Sequence, residues 1–233
     1  MSLPKPLRIA SWLAAAIAAV GVAWLVWIAA HIAWWAGHPP AETSFMARRM
    51  DEAQAKNPGV RLRYQWVDYG QIAPALKRAV IAAEDAKFVD HEGFDWDGIE
   101  RALEKNQKRG RIVAGGSTIT QQLAKNLFLS PAKSYFRKAQ EAVITVLLEA
   151  MLPKRRILEL YLNVIEWGNG VFGAEAAARR YFGVGAGALT VEQAARLAAM
   201  APNPRFYERN PGAPGLNRKI GIIVGRMPSA ALP

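Results

Sequence analysis

One glutamate in this sequence, Glu84, lies at a position where a side chain could act as a general base. Glu84 ends a run, residues 72–83, in which apolar side chains recur at three- and four-residue steps, as on the buried face of a helix. The residues that follow, 85–97, lack a helical period and are rich in acids and aromatics. A carboxylate half removed from water is a better base than one in bulk solvent, because desolvation disfavours its charged form. Taken alone, the pattern also fits a solvated acid at a helix end.

A polar helix face is predicted in residues 117–126. Ser117 follows two glycines and can cap the helix, and the polar residues after it recur at helical spacing. They are Thr118, Gln121, Gln122, Lys125 and Asn126. Solvated helix faces usually mix Glu and Lys, whereas this face carries hydroxyls, amides and a single cation. Such groups suit sugar hydroxyls and phosphate oxygens.

Two cations and a carboxylate form a third cluster. Arg137 and Lys138 precede Glu141 by four and three residues, so all three can lie on one face of one helix. By itself this cluster is compatible with an ordinary surface ion pair.

Three shorter patterns match features of other protein classes but lack the neighbouring residues or structure that those features need. Residues 168–173 match the glycine fingerprint of dinucleotide-binding proteins, but that motif follows a strand, and the residues before this one are strongly helical. Residues 130–133 match a Ser-x-x-Lys nucleophile motif, but neither companion motif of those enzymes occurs in the chain. His91 has no second histidine nearby and the chain has no cysteine, which disfavours a zinc site. We interpret His91 as a hydrogen-bonding loop residue.

The same stretches resemble the signatures of the family 51 peptidoglycan glycosyltransferases. The first three signatures are similar to Glu-Asp-x-x-Phe-x-x-His-x-Gly-x-Asp at 84–95, Gly-Ser-Thr-Ile-x-Gln-Gln-Leu-x-Lys-Asn at 116–126 and Arg-Lys-x-x-Glu at 137–141. Residues 154–183 are similar to the fourth signature and 189–204 to the fifth. The five motifs occur in family order within residues 71–210. No transpeptidase domain follows before residue 233, so the chain looks like the monofunctional biosynthetic form of Gram-negative bacteria.

The resemblance implies a lysozyme-like α-helical fold and polymerisation of lipid II. The growing glycan would move from undecaprenyl pyrophosphate to the 4-hydroxyl of the next sugar, with inversion to a β-1,4 link. Glu84 is implied as the base and Glu141 as the carboxylate that orients the cations or a divalent ion. The cations implied to hold pyrophosphate are Lys125, Arg137 and Lys138. The other substrate-binding residues expected are Asp85, Ser117, Thr118, Gln121, Gln122 and Asn126. Mg²⁺ or Mn²⁺ would suit the pyrophosphate, although no aspartate cluster demands either ion and no protein metal ligand is predicted.

Two other classes of protein fit parts of the sequence. A lytic transglycosylase or lysozyme-type hydrolase would share the fold and a single glutamate, but it has no use for three cations around the site. A non-catalytic, membrane-anchored cell-wall scaffold would explain the anchor and the charge, but not an amide-rich face beside Glu84 and Glu141. Release of undecaprenyl pyrophosphate from lipid II separates the first interpretation from both.

The elements that must position these residues are mostly helices. We predict a mainly α domain with at most a short hairpin. The predicted organisation is a cytoplasmic tail at 1–8, a transmembrane anchor at 9–36, a stem at 37–70 with a short extended piece at 60–67, and the glycosyltransferase domain at 71–227. The predicted helices cover 72–84, 96–109, 117–127, 132–151, 153–165, 174–182, 190–200 and 216–224. A basic link at 107–114 joins two site-bearing helices, and we expect it to be mobile.

The amino-terminal run is long enough to span a bilayer. Residues 9–36 contain no Lys, Arg, Asp or Glu, and no small-residue cleavage site follows, so we predict an uncleaved anchor. Lys5 and Arg8 precede it, which places the amino terminus in the cytoplasm and the rest of the chain in the periplasm of a bacterial inner membrane. The chain carries a net charge of +11, which suits anionic lipid or a phosphorylated substrate. Nucleic acid is not expected as a partner outside the cytoplasm, whereas proteins of the division or elongation machinery are compatible with the location.

Overall fold

The computed structural model describes residues 5–111, 115–130 and 134–233. The predicted mainly helical fold is confirmed in these residues. The helices and strands are α1 (Lys5–Trp35), α2 (Ser44–Lys56), β1 (Arg63–Tyr64), α3 (Pro74–Glu84), α4 (Trp96–Arg109), α5 (Ile119–Phe128), α6 (Tyr135–Met151), α7 (Lys154–Val164), β2 (Glu166–Gly168), β3 (Val171–Phe172), α8 (Ala174–Phe182), α9 (Val191–Met200), α10 (Pro204–Arg209) and α11 (Leu216–Arg226). Short 3₁₀ turns lie at Tyr69–Gln71, Ala186–Ala188 and Met227–Ser229.

The first of two compact units ends at His38 and consists mainly of α1. Residues Ser11–Trp35 of this helix have a mean hydropathy of 2.3 and are the one candidate membrane span among the described residues. At about 1.5 Å of rise per residue, such a helix exceeds the roughly 30 Å of a bilayer's hydrocarbon core and can cross it with some tilt. The helix is therefore consistent with the predicted single-pass anchor.

The second unit, Pro39–Pro233, is built from two groups of helices. In one, α3, α9 and α11 pack against each other, and in the other α5 packs against α2, α6 and α7. Trp167, Tyr161 and Phe88 are among the largest fully buried side chains. Because α3 ends beside the beginning of α5, the two stretches that the sequence analysis singled out come together between the groups.

Helix α2 was not predicted. Thr43 caps it by accepting a hydrogen bond from Met46 N at 3.2 Å, and Phe45, Met50 and Ala53 are buried on one side. Its exposed face is rich in charged residues, and prolines flank the segment, so its sequence resembles a stem. Packing on α5, rather than local pattern, makes this segment part of the fold.

Residues 60–67 contain a much shorter strand than predicted. Only Arg63–Tyr64 forms β1, which pairs in parallel with β3, and β3 pairs antiparallel with β2. The glycine-rich stretch 168–173 lies in this β2–β3 hairpin, which is not the parallel strand–helix–strand unit of a dinucleotide site. Gly173 has φ +83°, and a Cβ there would lie 2.6 Å from Asn163 O, so the turn into α8 requires glycine.

Two predicted features lie partly outside the described residues. Of the link at 107–114, residues 112–114 are not described, so its mobility stays a prediction; α4 ends at Arg109 with Gly110 in a left-handed conformation, φ 62°. The helix predicted at 132–151 starts within residues 131–133, which are not described. Among the described residues it begins at Tyr135, and Ser134 Oγ accepts a hydrogen bond from Arg137 N at 3.1 Å.

Candidate active site

The loop after α3 is fastened to the beginning of α5 by a buried carboxylate. Asp85 Oδ2 accepts a hydrogen bond from the N–H of Ile119, the first residue of α5, at 3.0 Å, and Asp85 Oδ1 lies 2.9 Å from His91 Nε2. The Asp85 side chain is only 1% exposed. An acid at a helix N-terminus satisfies free N–H groups and complements the helix dipole. This contact holds the end of α3, and therefore Glu84, against α5.

Gly93 makes a second connection to α5. Its φ is +89°, and a Cβ there would lie 2.7 Å from Thr145 Cγ2, so only glycine fits without rearrangement. Its carbonyl accepts a hydrogen bond from Thr118 Oγ1 at 2.7 Å, and its N–H donates to His91 Nδ1 at 3.1 Å. His91 is thus a hydrogen-bonding loop residue, as predicted from the sequence.

Glu84 is half-buried at the end of α3, and an amide holds its carboxylate. Gln122 Nε2 donates to Glu84 Oε2 at 2.7 Å, and Gln122 Oε1 accepts from the Tyr161 hydroxyl at 2.9 Å. Burial raises the pKa of Tyr161 well above its usual range, so this hydroxyl stays a donor. Because the phenol donates to the amide oxygen, the amide nitrogen is the group that faces Glu84.

Burial also makes Glu84 a stronger base than a solvated glutamate. It raises the pKa of Glu84 above the ordinary value of 4.5, and the nearby Asp85 charge adds to the rise. The hydrogen bond from Gln122 and the charges of Lys125 and Lys219 oppose it. A carboxylate in these surroundings can take a proton in the reaction while its anion remains stabilised beforehand.

The predicted cluster on α6 is formed. Glu141 is 3% exposed; Arg137 Nη1 donates to its Oε2 at 2.5 Å, and Lys138 Nζ donates to its Oε1. Lys138 Nζ also donates to Ser117 Oγ at 3.2 Å, which ties the cluster to the segment before α5. Two cations on one buried carboxylate leave one positive charge in surplus. The cluster is therefore more than a surface ion pair and can attract an anion.

Lys125 lies in a cavity of about 120 Å³ whose lining includes Gln122, Tyr161 and Phe45. Its Nζ is 5.4 Å from the centre of the Phe45 ring, and no carboxylate of the described residues lies within ion-pair distance. Burial lowers the pKa of Lys125, and Glu141 counteracts part of that effect. A desolvated cation without a carboxylate partner is suited to a negatively charged ligand.

The cap of α5 differs from the prediction. Thr118, not Ser117, is the cap: Thr118 Oγ1 accepts from Gln121 N at 3.2 Å, and Gln121 Oε1 accepts from Thr118 N at 3.0 Å. The predicted Ser117 cap was wrong, because that hydroxyl accepts from Lys138 instead.

The predicted polar face divides between the site and the interior. Gln122, Lys125 and Asn126 line the 120 Å³ cavity, although Asn126 is 5% exposed and its Nδ2 donates to Gln122 O at 2.7 Å. Gln121 is buried in its capping interaction. Its neighbour Gln122 is therefore the glutamine that is available to the site.

Helix α11 adds two cations that the sequence analysis did not select. Lys219 and Arg226 line a cavity of about 190 Å³ beside Glu84. Arg226 also lines a neighbouring cavity of about 170 Å³ with Glu84 and Ser117. A separation of seven residues places Lys219 and Arg226 on one helix face, which was a readable signal. Nothing in the sequence shows that this face packs beside α3.

Helix α2 adds two further residues that the sequence analysis missed. Phe45 and Arg49 line the cavity that holds Lys125. Arg49 Nε lies 3.4 Å from Glu166 Oε2, and Arg205 Nε lies 2.5 Å from Glu166 Oε1. Glu166 is buried between these two half-buried arginines, and this group of charges closes the cavity on the side of α10.

Comparison with known proteins identifies the family. Residues 51–228 match the family model described as Transglycosylase, which is more than half of the chain. The chain belongs to this transglycosylase family. It is similar to three proteins named biosynthetic peptidoglycan transglycosylase: 62% identical over 210 residues to that of Dechloromonas aromatica (90% of this chain, 91% of the relative), 65% over 210 residues to that of Azoarcus sp. (90% and 90%), and 58% over 226 residues to that of Chromobacterium violaceum (97% and 99%).

The match covers nearly the whole site of this transglycosylase. Of the cavity-lining residues named above, only Phe45 and Arg49 precede the matched region 51–228. The predicted enzyme class and the predicted helical, lysozyme-like fold are confirmed by family membership. The roles of individual residues remain predictions.

Proposed function

We propose that this protein is a peptidoglycan glycosyltransferase that polymerises lipid II into β-1,4-linked glycan and releases undecaprenyl pyrophosphate. The observation that carries the proposal is that a carboxylate and several cations meet at α5. Gln122 donates to Glu84 and lines the cavity that holds Lys125, and Lys138, which shares Glu141 with Arg137, donates to Ser117, which lines a cavity with Glu84. Burial raises the pKa of Glu84. The names of the similar proteins support the substrate class.

Glu84 acts as the general base. As the 4-hydroxyl oxygen of the acceptor sugar attacks the anomeric carbon of the donor, its proton passes to the Glu84 carboxylate. The bond from that carbon to the pyrophosphate oxygen breaks on the opposite face, so the anomeric centre inverts. Gln122 keeps the second carboxylate oxygen in place through its 2.7 Å hydrogen bond.

Lys125 and the α6 cluster stabilise the leaving group. Negative charge grows on pyrophosphate as its bond to sugar breaks, and fixed cations in a partly dry cavity stabilise that charge more than water does. Lys125 supplies a buried ammonium, and Arg137 and Lys138 supply the surplus charge of their cluster. A separate acid is not needed, because pyrophosphate is already a good leaving group.

Glu141 is a positioning residue in this mechanism. Its two oxygens are occupied by Arg137 and Lys138, so it holds the two cations side by side despite their repulsion. Asp85 likewise acts through the backbone, by fixing the loop against α5.

The described residues do not fit a divalent-ion site. They contain no group of three or more His, Asp or Glu side chains that could hold a metal. Glu141, the acid closest to the cations, is already paired with two of them. The steps above therefore use no Mg²⁺ or Mn²⁺ ion.

Two earlier alternatives fit the site less well. A hydrolase would place water opposite Glu84 and would gain nothing from Lys125, Arg137 and Lys138. A scaffold would not need an acid whose pKa is raised by burial.

The proposal includes a location. Lys5 and Arg8 before the apolar helix favour a cytoplasmic amino terminus, with the catalytic domain in the periplasm. Because α2 packs on α5, this domain includes much of the predicted stem at 37–70 as well as residues 71–227. Proteins of the division or elongation machinery would be reachable there. Protease added to intact spheroplasts should then digest the domain, and a protected domain would contradict this orientation.

The experiment that tests the function uses purified full-length protein and lipid II. Polymeric glycan and released undecaprenyl pyrophosphate are expected to accumulate in parallel, and Glu84→Gln should slow the formation of both by about 10²–10⁴-fold. Formation of soluble fragments from preformed glycan, without pyrophosphate release, would instead identify a lytic enzyme. Absence of both activities would favour the scaffold.

A further inference from the structure

A further cavity, of about 580 Å³, lies beside α10, whose residues Arg205 and Arg209 contribute to its lining. It is lined by the end of α2, the segment before β1, the β2–β3 hairpin, α8 and α10. A smaller cavity of about 340 Å³ shares two of its residues, Arg63 and Arg180, and so continues it. We call the two together the basic trough. Its size is in the range of ligand-binding clefts.

The lining of the basic trough is strongly positive. The larger cavity contains one acid, Glu208, and six basic residues: Lys56, Arg61, Arg63, Arg180, Arg205 and Arg209. Glu208 is already engaged, since its Oε2 accepts from Asn169 N at 2.7 Å and its Oε1 lies 3.6 Å from Arg180.

Several of these cations have no acid of their own. Over the described part of the chain, no carboxylate lies within ion-pair distance of Lys56, Arg61, Arg63 or Arg209. Keeping like charges around one concave surface raises the energy of the empty protein through repulsion. A bound polyanion would relieve that repulsion, and guanidinium groups pair with carboxylates through two parallel hydrogen bonds.

The basic trough is continuous with the reaction centre along one helix face. Phe45 and Arg49 of α2 line the cavity that holds Lys125, while Ala53 and Lys56 line the trough. These residues recur at three- and four-residue steps and so lie on one stripe of the helix. At about 1.5 Å per residue, the trough end of this stripe lies roughly 16 Å from the end at the reaction centre.

Helix α10 connects the two places in the same way. Pro204 lines the cavity of Lys125, whereas Arg205 and Arg209 line the trough. Between them, Glu166 is buried with Arg49 and Arg205, which fixes the wall that both places share. A chain that leaves the reaction centre along α2 therefore enters the trough.

We propose that the basic trough binds the peptide carboxylates of a glycan strand as the strand extends from the reaction centre. This inference rests on the proposed function, because a peptidoglycan strand carries acidic peptides at regular intervals along its sugars. A flexible strand can follow a concave surface, whereas a bilayer is flat and is contacted by protruding apolar groups. The trough is concave and charged, so the strand fits it better than a lipid surface does.

The test measures binding without chemistry. Soluble, fluorescently labelled glycan strands that lack pyrophosphate are titrated with the full-length protein, once with their peptides intact and once after an amidase has removed the peptides. Arg61→Glu combined with Arg63→Glu should weaken binding of intact strands by at least about tenfold, since each lost guanidinium–carboxylate pair is strong. Wild-type protein should bind the peptide-free strands about as weakly.

A matched variant controls for net charge. Arg48→Glu combined with Lys105→Glu also reverses two exposed cations for which no ion pair forms among the described residues, and neither lines the trough. This variant should bind intact strands within about twofold of wild type. An equal loss in both double variants, or equal binding of peptide-free strands, would overturn the proposal.

The remaining outcomes are also decisive. If the Arg61 and Arg63 changes weaken binding to anionic vesicles but not to strands, the trough is a lipid site and the proposal is wrong. Because the labelled strands cannot react, a failure of lipid II polymerisation does not affect this measurement. Failure of the proposed function would appear as loss of lipid II polymerisation, whereas failure of this inference would appear as unchanged binding of intact strands by the variant with the Arg61 and Arg63 changes.

Discussion

The side-chain amide of Gln122 donates a 2.7 Å hydrogen bond to Glu84 Oε2 across 38 residues of chain. The same amide accepts from Tyr161, so its orientation is set by the protein before any substrate binds. This hydrogen bond fixes the geometry of the proposed base and offsets part of the cost of burying its charge.

Glu84→Gln should reduce polymerisation of lipid II by about 10²–10⁴-fold, the usual range for loss of general-base catalysis. Glutamine keeps the shape of the side chain but cannot accept the proton at neutral pH. Gel analysis of labelled glycan measures the effect. Near-normal polymerisation would mean that another acid, such as Glu141, is the base.

The same substitution should raise stability at neutral pH. Glu84 has a folded-state pKa above its ordinary value of 4.5, so its favourable contribution exists below that pH and is lost as pH rises through the folded-state pKa. The melting temperature of Glu84→Gln minus that of wild type should therefore increase from about pH 4.5 to pH 7.5. A constant difference would show that burial does not perturb Glu84.

Asp85→Asn should lower the stability of the protein, whereas Glu84→Gln should raise it at neutral pH. The Asp85 carboxylate accepts from Ile119 N and meets His91 in the interior, so its loss should cost about 1–3 kcal/mol of stability. We expect Asp85→Asn to reduce polymerisation less than Glu84→Gln does. Thermal denaturation and polymerisation of the two variants, measured side by side, check this pair of effects.

Gln122→Met should shift the acidic limb of the pH–rate profile to higher pH. The hydrogen bond from Gln122 lowers the pKa of Glu84, so removing it leaves a carboxylate that is protonated more easily. Gln121→Met is the matched control, because this adjacent amide is buried in the cap of α5. Gln121→Met should lower the stability of the protein without moving the acidic limb of the pH–rate profile. A shift of this limb in both variants would mean that the substitutions displace the whole beginning of α5.

Lys125→Ala should weaken both substrate binding and turnover. Pyrophosphate is negatively charged before and after the transition state, so a lost cation affects KM and kcat, each by roughly tenfold. Lys87→Ala removes an exposed lysine that pairs with Asp97 and should leave both constants nearly unchanged. Steady-state kinetics with lipid II give the two constants. A pure KM effect would place Lys125 outside the reaction centre.

Protein lacking residues 1–36 should still bind anionic vesicles. Phe128, Leu129, Tyr135 and Phe136 lie on either side of residues 131–133, which are outside the described part of the chain. Tyr135 and Phe136 are 97% and 74% exposed, whereas Leu129 is buried. Tyr135→Ser combined with Phe136→Ser should release the truncated protein into the supernatant on sedimentation with vesicles at low salt. A truncated protein that never sediments would show that no second membrane contact exists.

Local spacing was sufficient to determine part of the site. Arg137, Lys138 and Glu141 are three and four residues apart, and helix geometry alone brings them together. The position of Glu84 at a helix end followed from the apolar period before it. The apolar residues 9–36 likewise indicated a helix that could cross a membrane, because length and composition decide that property.

The tertiary structure decided which neighbours these residues have. Gln121 and Gln122 are adjacent amides. Gln122 faces Glu84 only because the end of α3 and Tyr161 of α7 lie beside it, whereas Gln121 closes a cap. Lys219 and Arg226 reach the site because α11 packs beside α3. Burial, which makes Glu84 a stronger base and Lys125 a weaker one, depends on residues distant in the chain. Contacts between such residues form only in the folded protein, so no local pattern in the sequence could specify them.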